Sequence, residues 1–551
     1  MAAYIPMMSI ADKYIEQLTS LNKSLAGEIV QLKAENRWLK EQFLLAKDRR
    51  FGPSSEQTTP GQDQFVFNEA EAVAALAATE PEFEEISYKR RKAVGHREAA
   101  FANLEVEEHT YELPEDERVC PQCNCQLEEM GVETRQELKF VPAQASVVKH
   151  NCVKYACRHC QKEETTTPIL TAPMPKPAFP NSMASASAVA HIMTEKFVMA
   201  SPLYRQEQQL ARCGVDLSRQ TLANWMIAGA AWLSIIFDRL HDLLVKMRYL
   251  HADETELQVL REPGRSASTK SRMWIYRSGR CLFIQSVDEH GQESAQIKLG
   301  PIILFDYQQT RGAEHPKNFL RDFAGFLHVD AYEAYDVYAA YALAVILAAC
   351  WAHARRKFDE AIKVLPAPER KNPDSTSPAK AGLEYCNRLY RIEAPIKDKT
   401  ADERLAVRLQ KSKPVLDEFK VWLDDQAERT LPKTTLGGAV RYAIKQWKKL
   451  NTILLDGNIE IDNNRAERSI RPYVTGRKNW MFANTPAGAK SSAIIYSIIE
   501  TAKENNLDPR KYLIHLFERL PNIDCKDLKQ LDQLLPWAPT VQDNCRLPDR
   551  K

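Results

Sequence analysis

The sequence lacks an apolar run long enough to cross a membrane, an excess of charge of one sign, and the cysteine pattern of a disulfide framework. The longest stretch free of charge and histidine covers residues 220–237. Gln220, Thr221 and Asn224 make its start polar, leaving it short of the roughly 20 apolar residues of a span. The next candidate, 337–352, is shorter still. The opening MAAYIPMMSIADKYIEQL has no basic start followed by an apolar run, so no secretory signal is expected. With 75 basic against 73 acidic residues the formal charge is +2, so any affinity for nucleic acid must come from local patches. Twelve cysteines, six of them between Cys120 and Cys160, point to a metal in a reducing compartment. A length of 551 residues predicts a modular protein of several units with at least one sizeable core.

What is present begins with a heptad pattern. With Ile15 at position a, Leu18, Leu25, Leu32 and Leu39 fall at d, and Ile15, Asn22, Ile29, Asn36 and Phe43 at a. Leucine at d with aliphatic a residues predicts a parallel two-stranded coiled coil over 10–50, and asparagine at a fixes its register. Glu28 and Glu35 at g precede Lys33 and Lys40 at e by five residues, the spacing that pairs charges across such a dimer. The rival reading is an amphipathic helix packed on its own domain. Residues 51–115 are polar and irregular and read as a partly disordered linker, with a basic cluster at Lys89, Arg90, Arg91 and Lys92.

Cys120-Pro-Gln-Cys123 and Cys157-Arg-His-Cys160 are separated by 33 residues. Two such knuckles aim four thiolates at one ion and predict a closed structural zinc site, a ribbon over 116–165 in which LKFVPAQASVV suits a strand. Cys125, Cys152 and His159 read as two free thiols and an exposed imidazole. After the proline-rich TAPMPKPAFPNS, a helix is expected over 184–199. Then come two short helices, the first ending near Cys213 and Gly214, the second capped by Ser218. That is the helix-turn-helix pattern, which would lay Arg219, Gln220 and Asn224 in a major groove, although an ordinary helical hairpin reads the same way.

Three acids stand where chemistry needs them: Asp253 in a β-prone run, Asp330 at the end of the apolar strand FLHV, and Glu467 on a helix beginning in DNNRAERSIRP. Two divalent ions about 4 Å apart need carboxylates converging from separate elements. Between the aspartates lie three strand candidates, RMWIYR, CLFIQSV and IILFDYQ. A helix around 332–342, the strand VILAACW and the helix ARRKFDEAIKVL follow FLHV. This order fits a ribonuclease-H-like α/β core provided one of the three candidates is an added excursion.

The chain resembles transposases of the insertion sequence 66 family. The resemblance rests on CPQC with CRHC, SPLYRQEQQLARCGVDLSRQTLANW, HADET, HVDAYEAYD, CWAHARRKFDEA, DNNRAERSIRPYVTGRKNWMFA and GAKSSAIIYSIIETAKENNLDPRKYL, and extends to the tail LDQLLPWAPT. It implies a DDE transposase with Asp253, Asp330 and Glu467 as catalytic, metal-binding acids. Ala331 departs from the family's usual Gly after the second Asp. The implied organisation is multidomain α/β: coiled coil 10–50, linker 51–115, zinc ribbon 116–165, a helical DNA-binding region 180–245, a ribonuclease-H-like core at 246–358 and 457–515 interrupted by an all-helical insertion at 359–456, and a tail at 516–551. The implied cofactors are two Mg²⁺ or Mn²⁺ ions at the active site and structural Zn²⁺. The implied partners are transposon-end and target DNA, a second copy through the coiled coil, larger assemblies on DNA, and accessory proteins of the same element. No membrane is involved, and the expected location is cytoplasmic, at a prokaryotic nucleoid.

The stretch around Glu467 then reads as acid for metal beside base for DNA. Arg468, Arg471, Arg477 and Lys478 would hold phosphates. Asn463 and Asn464 would cap the helix or touch the substrate backbone. Trp480 and Phe482 pack the core or stack on an unpaired base. His353, Arg355 and Arg356 follow a buried strand and would face DNA near the metals. In the helical insertion, Leu416, Phe419 and Leu423 recur at helical spacing, as do Tyr442, Ile444 and Trp447. The alternative is a non-catalytic, zinc-containing DNA-binding dimer derived from a transposase; a repair nuclease on the same core is a weaker one.

Overall fold

The computed structural model describes residues 145–156, 169–287, 293–372 and 377–548, together with helical residues scattered between 18 and 44. Cys120, Cys123, Cys157, Cys160, Cys125, His159 and the linker with its basic cluster lie outside the described residues. Cys152 is a free thiol whose Sγ lies 3.7 Å from Met174 Sδ. The described end of LKFVPAQASVV, residues 145–148, is not strand; the short strands here are β1 (Lys154–Ala156) and β2 (Ile169–Thr171), paired antiparallel.

Three helices follow: α1 (Ala186–Phe197), α2 (Leu203–Arg212) and α3 (Arg219–Leu244). Gly214 supplies the turn after α2 with φ +79°, and the Ser218 hydroxyl accepts the Thr221 N–H at 3.2 Å to start α3. The expectation of two short helices is corrected, because α3 runs for 26 residues. By length and composition it is also a helix that could cross a membrane, contrary to the reading of 220–237 as too short. Its apolar face is used inside the protein, where Leu222, Leu233, Ile236, Leu240 and Leu244 are fully buried, while Arg239 pairs with Asp532 at 2.7 Å.

The central sheet has five strands in the order β7-β4-β3-β8-β9. β3 (Tyr249–Gln258) pairs antiparallel with β4 (Lys270–Ser278), and β4 pairs antiparallel with β7 (Ile303–Gln308). β8 (Gly325–Val329) runs parallel to both β3 and β9 (Val345–Ala349). Of the three strand candidates between the aspartates, CLFIQSV is the excursion: it becomes β5 (Phe283–Val287) and pairs with β6 (Glu293–Lys298) outside the main sheet. The short helices α4 (Glu314–Phe319) and α5 (Glu333–Tyr341) cover one face, with Phe319 stacked on Tyr276 at 4.1 Å and Tyr335 against Trp274.

The chain then runs through α6 (Trp351–Lys363) into a helical segment that includes α7 (Pro378–Glu393), α8 (Lys413–Arg429) and α9 (Thr435–Lys445). Leu416, Phe419 and Leu423 are buried there as their spacing predicts, in a second apolar cluster with Trp351, Phe358 and Val440. Tyr442, Ile444 and Trp447 only line its margin; Gly437, Ala439, Val440 and Ala443 are the buried positions of α9. The helical residues near the start of the chain reach this segment, where Glu41 accepts the Thr435 N–H at 2.7 Å and its hydroxyl at 2.8 Å. A carboxylate at the first turn of α9 is a favourable placement against the helix dipole.

Helices α10 (Asn464–Trp480), α11 (Pro486–Glu504) and α12 (Pro509–Arg519) close the other face. α11 also caps the β7 edge: Ser497 Oγ accepts the Phe305 N–H at 2.7 Å, and Thr501 Oγ1 accepts the Ile303 N–H and donates to the Ile303 carbonyl, both at 2.9 Å. Side-chain hydroxyls thus stand where another strand could pair. Thr501→Val keeps the shape and orphans both buried backbone groups, so a loss of about 2 kcal/mol or more is expected in urea unfolding.

On the same strand, burial raises the Asp306 carboxyl to about 6. Its proton is held more tightly folded than unfolded, so this group adds stability as pH falls from 6 toward 4 and withdraws it above 6. Asp306→Asn is expected to stabilise the fold by about 1–3 kcal/mol at pH 8 and to change little at pH 4, read from urea midpoints at the two pH values.

Candidate active site

The parallel register that pairs Tyr249 with Phe326, Leu250 with Leu327 and His251 with His328 continues to bring Asp253 level with Asp330. Both acids therefore stand just past the point where β3 and β8 part, Asp330 after the end of β8 and Asp253 within β3, which continues to Gln258 alongside β4. Asp253 accepts the Glu254 N–H at 2.8 Å and Asp330 accepts the Tyr332 N–H at 2.9 Å, which fixes both carboxylates. Ala331 is not among the residues with positive φ, so the turn here does not require a glycine.

Oxygen atoms of Asp253, Glu254 and Asp330 lie within 4.8 Å of one another. Burial, then the charges of Glu254 and Asp330, push the Asp253 carboxyl well above the usual carboxylate range. Three acids this close repel one another and leave an all-oxygen donor set that fits a hard divalent cation.

Glu467 enters from the first turn of α10. It faces α6, with Oε1 3.8 Å from His353 Nε2 and Oε2 3.8 Å from Arg356. Cys350 Sγ, a ring nitrogen of His353 and a Glu467 oxygen form a second group within 4.8 Å. Glu467 contributes to the raised pKa of Asp253, and Asp330 acts on His353, so the two groups adjoin. Burial holds the His353 imidazole below its ordinary pKa despite the Glu467 charge.

What anchors α10 is Asn463, which is fully buried and makes no side-chain cap. Its Oδ1 meets His251 Nδ1 at 2.8 Å, its Nδ2 donates to the Ala252 carbonyl at 2.9 Å, and its N–H points to Cys350 Sγ at 3.1 Å. One side chain therefore ties the helix of the third acid to the strand of the first. His251 also meets Glu460 at 2.9 Å and stacks on His328, with ring centroids 5.0 Å apart. At the far end, Met481 takes φ +65°, and Ala483 then donates to the Gln258 carbonyl at 3.0 Å, returning the chain to β3.

The basic residues divide. Arg356, Arg468, Arg471 and Lys478 are exposed. Arg477 is half-buried and its guanidinium lies 3.4 Å from Thr255 Oγ1. Arg355 is turned toward α7, where it donates to Asn387 Oδ1 at 2.9 Å, away from the acids. Asn464 is half-buried, with its N–H on Asp462 at 3.2 Å. Trp480 packs edge-on against Tyr473, whereas Phe482 is exposed. At the start of α3, Arg219, Gln220 and Asn224 are exposed, Gln220 and Asn224 bonded to each other at 3.1 Å. Sequence reasoning missed Glu254, Arg311, His251 and the buried role of Asn463. The repeated His-x-Asp of HADET and HVDAY was a usable signal, since the two histidines stack directly behind the two acids.

Comparison with known proteins finds four family models along the chain. Residues 181–491 match the model described as Transposase IS66 family, and 497–537 the IS66 C-terminal element. Residues 117–161, which contain all four paired cysteines, match the zinc-finger binding domain of transposase IS66. Residues 38–108 match the model described as Transposase C of IS166 homeodomain. Similar proteins include three from Sinorhizobium fredii (strain NBRC 101917 / NGR234). Uncharacterized protein y4jD is 29% identical over 95% of this chain and 97% of its own length. Uncharacterized proteins y4hP and y4qI are 30% and 28% identical, over 88% and 93% of this chain and 86% and 92% of theirs.

Proposed function

The chain belongs to the IS66 family of transposases, and on that footing we propose that it cuts and joins DNA with Asp253, Asp330 and Glu467 as its catalytic acids. The observation that carries this reading is that the aspartates from β3 and from the turn after β8 come together, while Glu467 from α10 lies near enough for its charge to act on Asp253. The strand order, with β4 antiparallel and β8 and β9 parallel to β3, supports a ribonuclease-H-like core. The helical segment between α6 and α10 is then an insertion that returns the chain to the core at Asn463.

Asp253, Asp330 and Glu467 would hold two divalent ions, Mg²⁺ or Mn²⁺. Bound there, such ions activate a water or a 3′-hydroxyl and stabilise the charge of the attacked phosphodiester. The protein's own part is to hold the acids in place through Asn463 and the Tyr332 N–H, and to bring cations beside them. Arg356 next to Glu467, and Arg468, Arg471 and Lys478 on α10, would take the phosphates, with Arg477 and Asn464 at the margin. His353 would orient Glu467. Water would cut the element's end, and the freed 3′-hydroxyl would attack target DNA without a covalent enzyme intermediate.

The zinc ribbon and the exposed start of α3 would recognise the terminal repeats. Leu18, Leu25, Leu32 and Leu39 are all exposed in the single chain, which supports their burial against a second copy, since a transposon has two ends to pair. Accessory proteins of the same element are further expected partners, and the reaction belongs in the cytoplasm of a prokaryote.

The test is strand transfer by the purified full chain on a short labelled duplex carrying the element's end, with Mg²⁺ and with EDTA. Joined product only with Mg²⁺ is the expected result. End-specific binding with no product, even after the accessory proteins are supplied, would instead support a non-catalytic DNA-binding dimer.

A further inference from the structure

Glu254 follows Asp253 on β3, and strand alternation alone would put its side chain on the opposite face. Its carboxylate is nevertheless almost completely buried, at 2% exposure, with one oxygen inside the group formed with Asp253 and Asp330. Arg311 is its cation. Both Arg311 Nε, at 2.7 Å, and the adjacent guanidinium nitrogen bond the same oxygen, Oε1. Oε2 is buried and has no hydrogen-bond partner. Arg–carboxylate pairs frequently use both oxygens, two bonds matched to two, and this one does not.

Arg311 is held in that one-sided arrangement. Its guanidinium lies 3.5 Å from the centre of the Tyr332 ring, and the Tyr332 hydroxyl donates to the Arg311 carbonyl at 2.5 Å. The Tyr332 N–H meanwhile fixes Asp330. One tyrosine therefore sets the positions of both Asp330 and the clamp on Glu254. A buried oxygen without a partner is destabilising, and a bound ion is one of the few arrangements that relieves it. One guanidinium against three carboxylates also leaves an excess of negative charge that a divalent ion would balance.

We propose that Glu254 is a ligand of the ion that Asp253 and Asp330 hold, so that three carboxylates bind it, Glu254 through Oε2, with Arg311 occupying only Oε1. This rests on the metal-dependent reading above, and direct metal binding tests the two separately. Mn²⁺ would be titrated calorimetrically into the zinc-loaded full chain, comparing wild type, Glu254→Gln and Asp330→Asn, with circular dichroism to check folding. The expected result is that both variants lose affinity by about tenfold or more. Wild-type affinity in folded Glu254→Gln, with loss in Asp330→Asn, would overturn the assignment of Glu254 and leave the transposase reading standing. Unchanged affinity in both would remove the metal-dependent reading and this inference together. If Glu254→Gln does not fold, Glu254→Asp decides: it keeps the charge but withdraws it by one methylene, so weaker binding supports the assignment and unchanged binding overturns it.

Discussion

Asp330→Asn and Glu467→Gln proteins are expected to bind transposon-end duplex as tightly as wild type and to form no joined product. Each change keeps the side chain's size and removes the charge that would hold an ion. In the proposed reaction the ions would be needed chiefly as charge builds on the phosphodiester, where such ions supply several kcal/mol. A loss of that size corresponds to roughly a thousandfold or more in rate. Duplex binding should survive because in the proposed complex it would depend on the cations of α10 and on the zinc and α3 regions, and its salt dependence should be unaltered. Gel-shift and strand-transfer measurements on the same preparations check both halves. Joined product at more than about a tenth of the wild-type rate would take the altered acid out of the mechanism.

Asn463→Ala is expected to lower both stability and activity, although Asn463 touches no substrate in the proposed reaction. The change orphans His251 Nδ1 and the Ala252 carbonyl, both buried, and frees the start of α10. Buried groups left without partners are each destabilising by about 1–3 kcal/mol, so a total near 3 kcal/mol is expected in urea unfolding followed by tryptophan fluorescence. Strand transfer should fall with it, because a displacement of about 1 Å in a catalytic group can lower a rate about a hundredfold. Asn464→Ala, one residue on, is the control and should leave stability nearly unchanged. Equal stability for Asn463→Ala and wild type would show that α10 is anchored by its apolar face alone.

The two aspartates were legible in the sequence because each ends or interrupts an apolar strand, where a lone acid has no place in a core. The excursion among three similar strand candidates was legible as a requirement of the topology, but not its identity. CLFIQSV and RMWIYR are equally β-prone, and only tertiary pairing separates β5 from β4. The length of α3 was misread because its polar start was weighed against a membrane span rather than against a helix with a solvent-facing end. Asn463 read as a cap because Asn before a helix usually is one; its burial depends on His251, 212 residues earlier. Arg355 looked equivalent to Arg356, yet neighbours on a helix diverge by about 100°, and one faces Asn387 while the other faces Glu467. Glu254 was passed over because alternation along a strand assigns adjacent residues to opposite faces, a rule that weakens where the parallel pair ends.

The bond between Asn463 and His251 also orders events during synthesis. A ribosome adding about 5–20 residues per second needs roughly ten to forty seconds to travel from Asp253 to Glu467. Over that interval β3, β4, β7 and β8 can pair while His251 lacks its partner and Glu467 is still to be made. A nascent or prematurely ended chain therefore carries the strands of the site without the site itself. On the proposed reaction, only a chain translated past Glu467 would become competent to cut DNA.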